Sequence, residues 1–226
     1  MTNDQSTLGI WEGQLLHFSC AAVLIFSTFL LWEHFSAPYP ILFWCSIGIP
    51  VVHQIYVWLS WRLELKHKTI SKSIGLRGFV AVFFLFFMGR FGSILALAYL
   101  DRGSLGFSDT TTIILTIVLA FPGLYALYSV RRYFGLTRAA GADHFEEEYR
   151  NMPLVKEGIF RFTKNGMYLY AFLLFWAIAI GFNSIAALIV VAFSHAYIWV
   201  HFYATEKPDM LFLYGSRHIN VRPNSK

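Results

Sequence analysis

Charge is scarce in this chain of 226 residues: Asp, Glu, Lys and Arg together make up 14%, against 57% hydrophobic residues. So little polar surface cannot clothe a domain in water, and a mean hydropathy of +0.53 places the chain in a membrane. Cysteine is nearly missing as well. Cys20 and Cys45 fall inside apolar runs, where they act as small hydrophobes, which excludes a secreted disulfide scaffold and says nothing of compartment. Met1 to Gly13 contains no Lys or Arg, only Asp4 and Glu12, so the basic region of a cleavable signal peptide is lacking and the first apolar segment is expected to stay. No acidic residue lies deep in an apolar run, no fixed-period repeat or low-complexity tract occurs, and no metal-ligand spacing stands out.

What is present is long apolar stretches rich in aromatics (23 Phe, 12 Tyr, 7 Trp). Gln14–Trp32, Pro40–Trp61, Gly78–Leu100 and Thr111–Tyr133 are each able to cross a hydrocarbon core of about 30 Å. Met167–Phe202 is too long for one crossing and is broken by the turn-forming Gly181-Phe182-Asn183-Ser184, so it is expected to form a tight helical hairpin. The expected fold is an all-α integral membrane protein of about six transmembrane segments, the last two a hairpin.

The basic residues sort between the connections. Sixteen of the eighteen lie in Arg62–Arg77, in Arg131–Lys164 and after Phe202; Arg102 stands in another connection and Arg90 inside a segment. The positive-inside rule then puts both termini and these connections in the cytoplasm, with Ser36 and Ser104 outside and Ser216 inside. A net charge of +5 distributed in this way marks topology and gives no reason to expect a nucleic-acid partner. Trp58, Trp61 and Arg62 are expected in the interface belt, and Lys66, Lys68 and Lys72 against anionic lipid headgroups. The sequence sets no oligomeric state. Gly135–Gly166, at about thirty residues, is far longer than an ordinary helix connection, and loops of that length are commonly functional.

Two stretches flank the hairpin. Before it runs Leu154-Val155-Lys156-Glu157-Gly158-Ile159-Phe160-Arg161-Phe162-Thr163-Lys164-Asn165-Gly166-Met167-Tyr168-Leu169, and after it Thr205-Glu206-Lys207-Pro208-Asp209-Met210-Leu211-Phe212-Leu213-Tyr214-Gly215. In order and spacing they resemble the superfamily of isoprenylcysteine carboxyl methyltransferases and phospholipid methyltransferases, including the phosphatidylethanolamine enzymes. Tyr133-Phe134-Gly135-Leu136 and Ala140-Gly141-Ala142-Asp143-His144-Phe145 are similar to further segments of the two branches, so the resemblance covers about Arg132 to Pro223. It implies a membrane methyltransferase that uses S-adenosylmethionine, with a cytoplasmic cofactor pocket built from Val155, Gly158, Asn165, Gly166, Met167, Tyr168 and Glu206, and a lipid or lipid-like acceptor entering from the bilayer. Residues 1–130 then form a scaffold of four helices and residues 131–226 the methyltransferase-like unit.

The chain departs from the family pattern at two places. Lys164-Asn165-Gly166 replaces Arg-His-Pro, the Asn resembling the phosphatidylethanolamine branch, and Glu206-Lys207 replaces Glu-Glu, which removes an acceptor and adds donors. Asn165 tilts the expected acceptor to a phospholipid amine; a prenylcysteine carboxylate, a small thiol, or non-catalytic lipid binding by the same fold are the alternatives.

Several residues carry two readings each. Glu206 is a cofactor ligand and proton acceptor or a solvated interfacial acid, with Pro208 expected to stop the helix after it. Asn165-Gly166 is a helix start whose backbone N–H groups also suit a carboxylate. Tyr168 is a pocket residue or an interfacial anchor. His144, beside Glu146, Glu147 and Glu148, is a general base near a headgroup or part of a solvated acidic run. His17, His53 and His195 are hydrogen-bonded structural histidines or haem ligands. His201 shares a helix face with Ser194, Ile198 and Thr205 that is a candidate lining for the acceptor site. Arg90, a charge in mid-membrane with no acid to pair it, contacts freed backbone carbonyls, water, or an anionic group of the substrate.

Overall fold

The computed structural model describes residues 8–215, so Ser216 and the basic tail beyond it lie outside the described residues. The described residues form helices and connections with no strand. The principal helices are α1 (Gln14–His34), α2 (Pro40–His67), α3 (Gly75–Leu100), α4 (Asp109–Ser129), α5 (Leu173–Gly181), α6 (Ile185–His201) and α7 (Lys207–Tyr214). Three wide π-helical turns adjoin them: Val130–Phe134 ends α4, Met167–Ala171 begins α5, and Phe202–Glu206 joins α6 to α7.

Among the described residues, five helices are long and apolar enough to cross a membrane: Gln14–His34, Pro40–His67, Gly75–Leu100, Asp109–Phe134 and Ile185–Tyr214. The expected sixth, Met167–Gly181, is shorter, because the turn at Lys164-Asn165-Gly166 delays its start and Gly181 ends it. At about 1.5 Å per residue it reaches roughly 22 Å. A second expectation is corrected at Pro208, which does not stop the chain's helix. It occupies the first turn of α7, where its missing N–H costs nothing, and the π turn before it takes up the mismatch.

α6 is the axis of the bundle. Its span is 56% buried while those of α1 and α3 are 17% buried, so the outer helices turn Leu15, Val23, Phe26, Leu85, Ile117 and Phe121 toward lipid. The core packs Phe43 and Ile47 of α2, Ile94 and Leu97 of α3, and Phe175 of α5 around Val190, Val191, Phe193 and Tyr197 of α6. A second cluster, Val57, Trp61, Phe79, Ala140 and Phe145, folds the long connection back onto α2 and α3. That return needs Gly141. Its φ is +90°, and a Cβ there would stand 2.4 Å from the Trp61 ring.

The hairpin turn is latched at one end of the bundle. Asp101, at the end of α3, accepts from Ser184 Oγ at 2.7 Å, from the Ala186 backbone N–H at 2.9 Å and from Ser104 Oγ at 2.7 Å, while Asn183 exchanges hydrogen bonds with the Phe107 backbone. A buried carboxylate at the start of α6 satisfies orphan donors and complements the helix dipole. Asp101→Ala is expected to lower the unfolding free energy in detergent by about 2–4 kcal/mol, as several charge-assisted bonds are lost together. A melting curve superimposable on the wild type would refute this role.

Candidate active site at the polar end of the bundle

All three π turns lie at the end opposite the Asp101 latch. Such turns are rare, under about 1% of residues in ordinary proteins, and tend to mark functional sites, so their gathering singles out this end. The hairpin does what its length requires: it returns the chain so that the Tyr168 hydroxyl donates to Glu206 Oε2. The Tyr168 ring packs edge-on against Trp199 and Phe202, at 5.9 and 5.8 Å between centroids. Its carbonyl accepts from His195 Nε2 at 2.9 Å, and Trp176 donates to His195 Nδ1 at 3.0 Å. Those two bonds set the tautomer of His195, since the carbonyl can only accept and the indole can only donate. Tyr168 is therefore fixed at its hydroxyl, its ring and its carbonyl.

The remaining expected cofactor residues line up before this pair. Gly158 has φ +59°, and a Cβ there would meet Ser129 Oγ at 2.4 Å, which lets the neighbouring Ile159 N–H donate to that hydroxyl at 3.0 Å. Gly166 is buried over Ile159, whose Cγ2 a Cβ would approach to 2.8 Å. It is Gly166, with no side-chain cap, that opens the Met167 turn; Asn165 contributes its carbonyl, accepting from the Leu169 N–H at 3.0 Å. Val155, Asn165, Met167, Tyr168 and Glu206 are half-buried.

Beside them lies a buried charged network that the sequence reading missed. Arg62 Nε stands 2.6 Å from Asp209 Oδ1, and His144 Nε2 lies 3.2 Å from Asp209 Oδ2. His144 Nδ1 is 3.1 Å from Asp143 Oδ1, and Tyr214 donates to Asp143 Oδ2 at 2.8 Å. Arg150 donates to the carbonyls of Asp143 and His144, and Arg62 to those of Gly9 and Glu12. The Trp61 ring stacks on His144 at 4.1 Å and 14°. Burial alone would lower the His144 pKa, but the hydrogen bonds and charges of Asp143 and Asp209 outweigh it and raise it to about 9. Burial likewise pushes the Asp143 carboxyl up, and the bonds from His144 and Tyr214 more than reverse this, holding it below its ordinary value.

Two expectations change here. His144 is fully buried, both ring nitrogens face carboxylates, and its partners are Asp143 and Asp209, with Glu146, Glu147 and Glu148 taking no part. With a carboxylate at each ring nitrogen, the imidazole sits in an enclosed ion-pair geometry. Trp58, Trp61 and Arg62 are buried too, and do not form an interface belt; the N-terminal segment covers Trp58 and Arg62, Trp58 donating to the Ile10 carbonyl at 2.9 Å, and His144 stacks on Trp61. Lys66, Lys68 and Lys72 are exposed. A signal for Asp209 did exist: it lies one turn beyond Thr205 on the face begun by Ser194, Ile198 and His201.

That face is buried throughout, and Gln14 of α1 donates to Thr205 Oγ1 at 3.2 Å. His17 is held by Gln14 Oε1 at 2.9 Å and the Tyr197 hydroxyl at 2.8 Å, a hydrogen-bonded structural histidine, as is His195. Arg90 is buried, with its guanidinium 5.9 Å from the centre of the Phe172 ring. Among the described residues no group of three or more His, Cys, Asp or Glu is placed to hold a metal.

Searches of curated proteins and of solved structures return no match. The model of the phospholipid methyltransferase family matches residues 111–217, a stretch that opens in α4 and contains every π turn, the Tyr168–Glu206 pair, His144 and Asp209. With the folded hairpin and the polar end in place, residues 111–217, a little under half of the chain, are similar to the phospholipid methyltransferase family.

Proposed function

We propose that the chain is an S-adenosylmethionine-dependent methyltransferase that acts on the amine of a membrane phospholipid at the cytoplasmic face. The observation that carries this is the hydrogen bond from Tyr168 to Glu206, which joins the two stretches flanking the hairpin into one wall. The residues present suit the cofactor. Glu206 offers a carboxylate, the acceptor a ribose diol requires, and one of its oxygens is left over beyond Tyr168. Gly158 and Gly166 let the backbone of the facing stretch pack directly on the side chains of Ser129 and Ile159. When bound, the sulfonium supplies an electrophilic methyl group. The protein's part is to orient the acceptor, to exclude water with the ring wall of Tyr168, Trp199 and Phe202, and to receive the ammonium proton of the acceptor at Glu206.

The test is calorimetric titration of the detergent-purified protein with S-adenosylhomocysteine. Glu206→Gln keeps the size and removes the charge, and is expected to weaken binding by about 1.5–3 kcal/mol, the usual worth of a hydrogen bond to a charged group. Unchanged affinity in that variant moves the cofactor elsewhere.

A further inference from the structure

Among the described residues, and apart from the ion-paired Arg62 and Asp209, seven buried side-chain polar atoms without a hydrogen-bond partner fall on four residues, with single ones on Trp32, Trp61, Thr112 and Thr116. His53 of α2, Arg90 of α3, and Ser194 and His201 of α6 are each no more than 2% exposed. Arg90 Nε and Nη2, both ring nitrogens of His53 and of His201, and Ser194 Oγ have no hydrogen-bond partner. This is not a general property of histidines in these helices, since His17 and His195 have both nitrogens engaged. His53, Arg90 and His201 belong to one neighbourhood, and Ser194 lies two turns before His201 on the same buried face of α6. His201 interacts electrostatically with Arg90 and with His53, and His53 with Arg90.

Charge decides what this neighbourhood lacks. Arg90 forms no ion pair with any carboxylate among the described residues. The acids of this chain that are buried near α6 are spent elsewhere: Asp209 on Arg62 and His144, Asp101 on the hairpin latch. A guanidinium in the membrane interior with unfilled donors needs a counterion, and the described residues supply none. The missing partner is an anion with several acceptor oxygens and no need of a donor.

We infer that His53, Arg90, Ser194 and His201 form an intramembrane oxyanion site that takes a phosphate group. Donors arriving from three helices suit a tetrahedral oxyanion, and the guanidinium fork grips two of its oxygens at once. The phosphate comes from a phospholipid headgroup or from a free phosphate; the chemistry of the site is the same for both. His201 lies more than one helical turn below Glu206 on the same continuous run. A lipid held there by its phosphate therefore directs the rest of its headgroup toward the Tyr168–Glu206 wall. The choice of a lipid amine rests on the proposed function; the oxyanion site does not.

The experiment is a ligand-dependent melting series on the full chain in nonionic detergent, using short-chain phosphatidylethanolamine, diacylglycerol with the same chains, and inorganic phosphate. Phosphatidylethanolamine is expected to raise the melting temperature saturably, and diacylglycerol to leave it unchanged. Arg90→Gln and His201→Phe should weaken the apparent affinity at least tenfold, with Arg90→Lys between them and the wild type. A shift from inorganic phosphate alone, lost in Arg90→Gln, supports the site and names a soluble source. Equal shifts with diacylglycerol, or an undiminished phosphatidylethanolamine shift in Arg90→Gln, overturn the inference. Should Arg90→Gln not fold, Ser194→Ala and His53→Phe carry the same comparison, and undiminished shifts in both overturn it. Titrating S-adenosylhomocysteine into the same samples separates the two proposals: no binding, with the Arg90-dependent lipid shift intact, sinks the methyltransferase reading and leaves the oxyanion site standing.

Discussion

Arg62→Met is expected to destabilise the folded protein by about 3–5 kcal/mol, because it takes the guanidinium from the fully buried Asp209 carboxylate and leaves it His144, which Asp143 shares, as its one remaining ion partner. The same change releases the carbonyls of Gly9 and Glu12, which the guanidinium ties to α2. Asp209→Asn alone should also be costly, since it strands Arg62 and strips His144 of one of its two acceptors. The informative variant is the double one. With both charges gone, the desolvation penalty of each disappears together with their attraction, so Arg62→Met with Asp209→Asn should be less unstable than the sum of the single changes by more than about 1 kcal/mol. Denaturation of the four proteins in one detergent measures this coupling. Strictly additive losses would mean that the two side chains do not pair in the folded state.

The contrast between what the sequence disclosed and what it hid follows from the range of each interaction. Apolar length located α1 to α4 to within a few residues, and the Gly181-Phe182-Asn183-Ser184 turn set the hairpin, because both are local properties of the chain. The meeting of Tyr168 with Glu206 was legible for a related reason: a tight hairpin leaves its two flanks no other place to go. The buried network was not legible. Its members come from the N-terminal segment, α2, the long connection and α7, and no spacing rule links Arg62 to Asp209 or Trp61 to His144. Charged and amphipathic residues at a helix end look alike in sequence whether they face water, headgroups or one another, which is why Trp58, Trp61 and Arg62 read as an interface belt. Likewise, Pro208 signalled a helix stop on local grounds, and only the wide turn Phe202–Glu206 allowed the helix to resume.

The same network makes stability depend on alkaline pH. His144 sits between Asp143 and Asp209, with Trp61 stacked on its ring, Tyr214 bonded to Asp143, and Arg62 and Arg150 completing the enclosure. Its pKa is raised from an ordinary 6.5 to about 9, so the folded state holds this proton more tightly than the unfolded chain does. Stabilisation from the proton is therefore complete below about pH 6.5, declines as the pH rises toward about 9, and is absent above that. A shift of this size corresponds to about 3 kcal/mol. His144→Gln keeps a side chain that can donate one hydrogen bond but cannot take up a proton, so its stability should lack this component of the pH profile. Melting wild type and variant in parallel at pH 6, 8 and 10 isolates the effect from other groups that titrate in the same range, because those are common to both proteins. The wild-type advantage should be largest at pH 6 and should vanish by pH 10. Parallel profiles would show that folding leaves the His144 pKa unshifted, so that the two carboxylates facing it do not hold its proton.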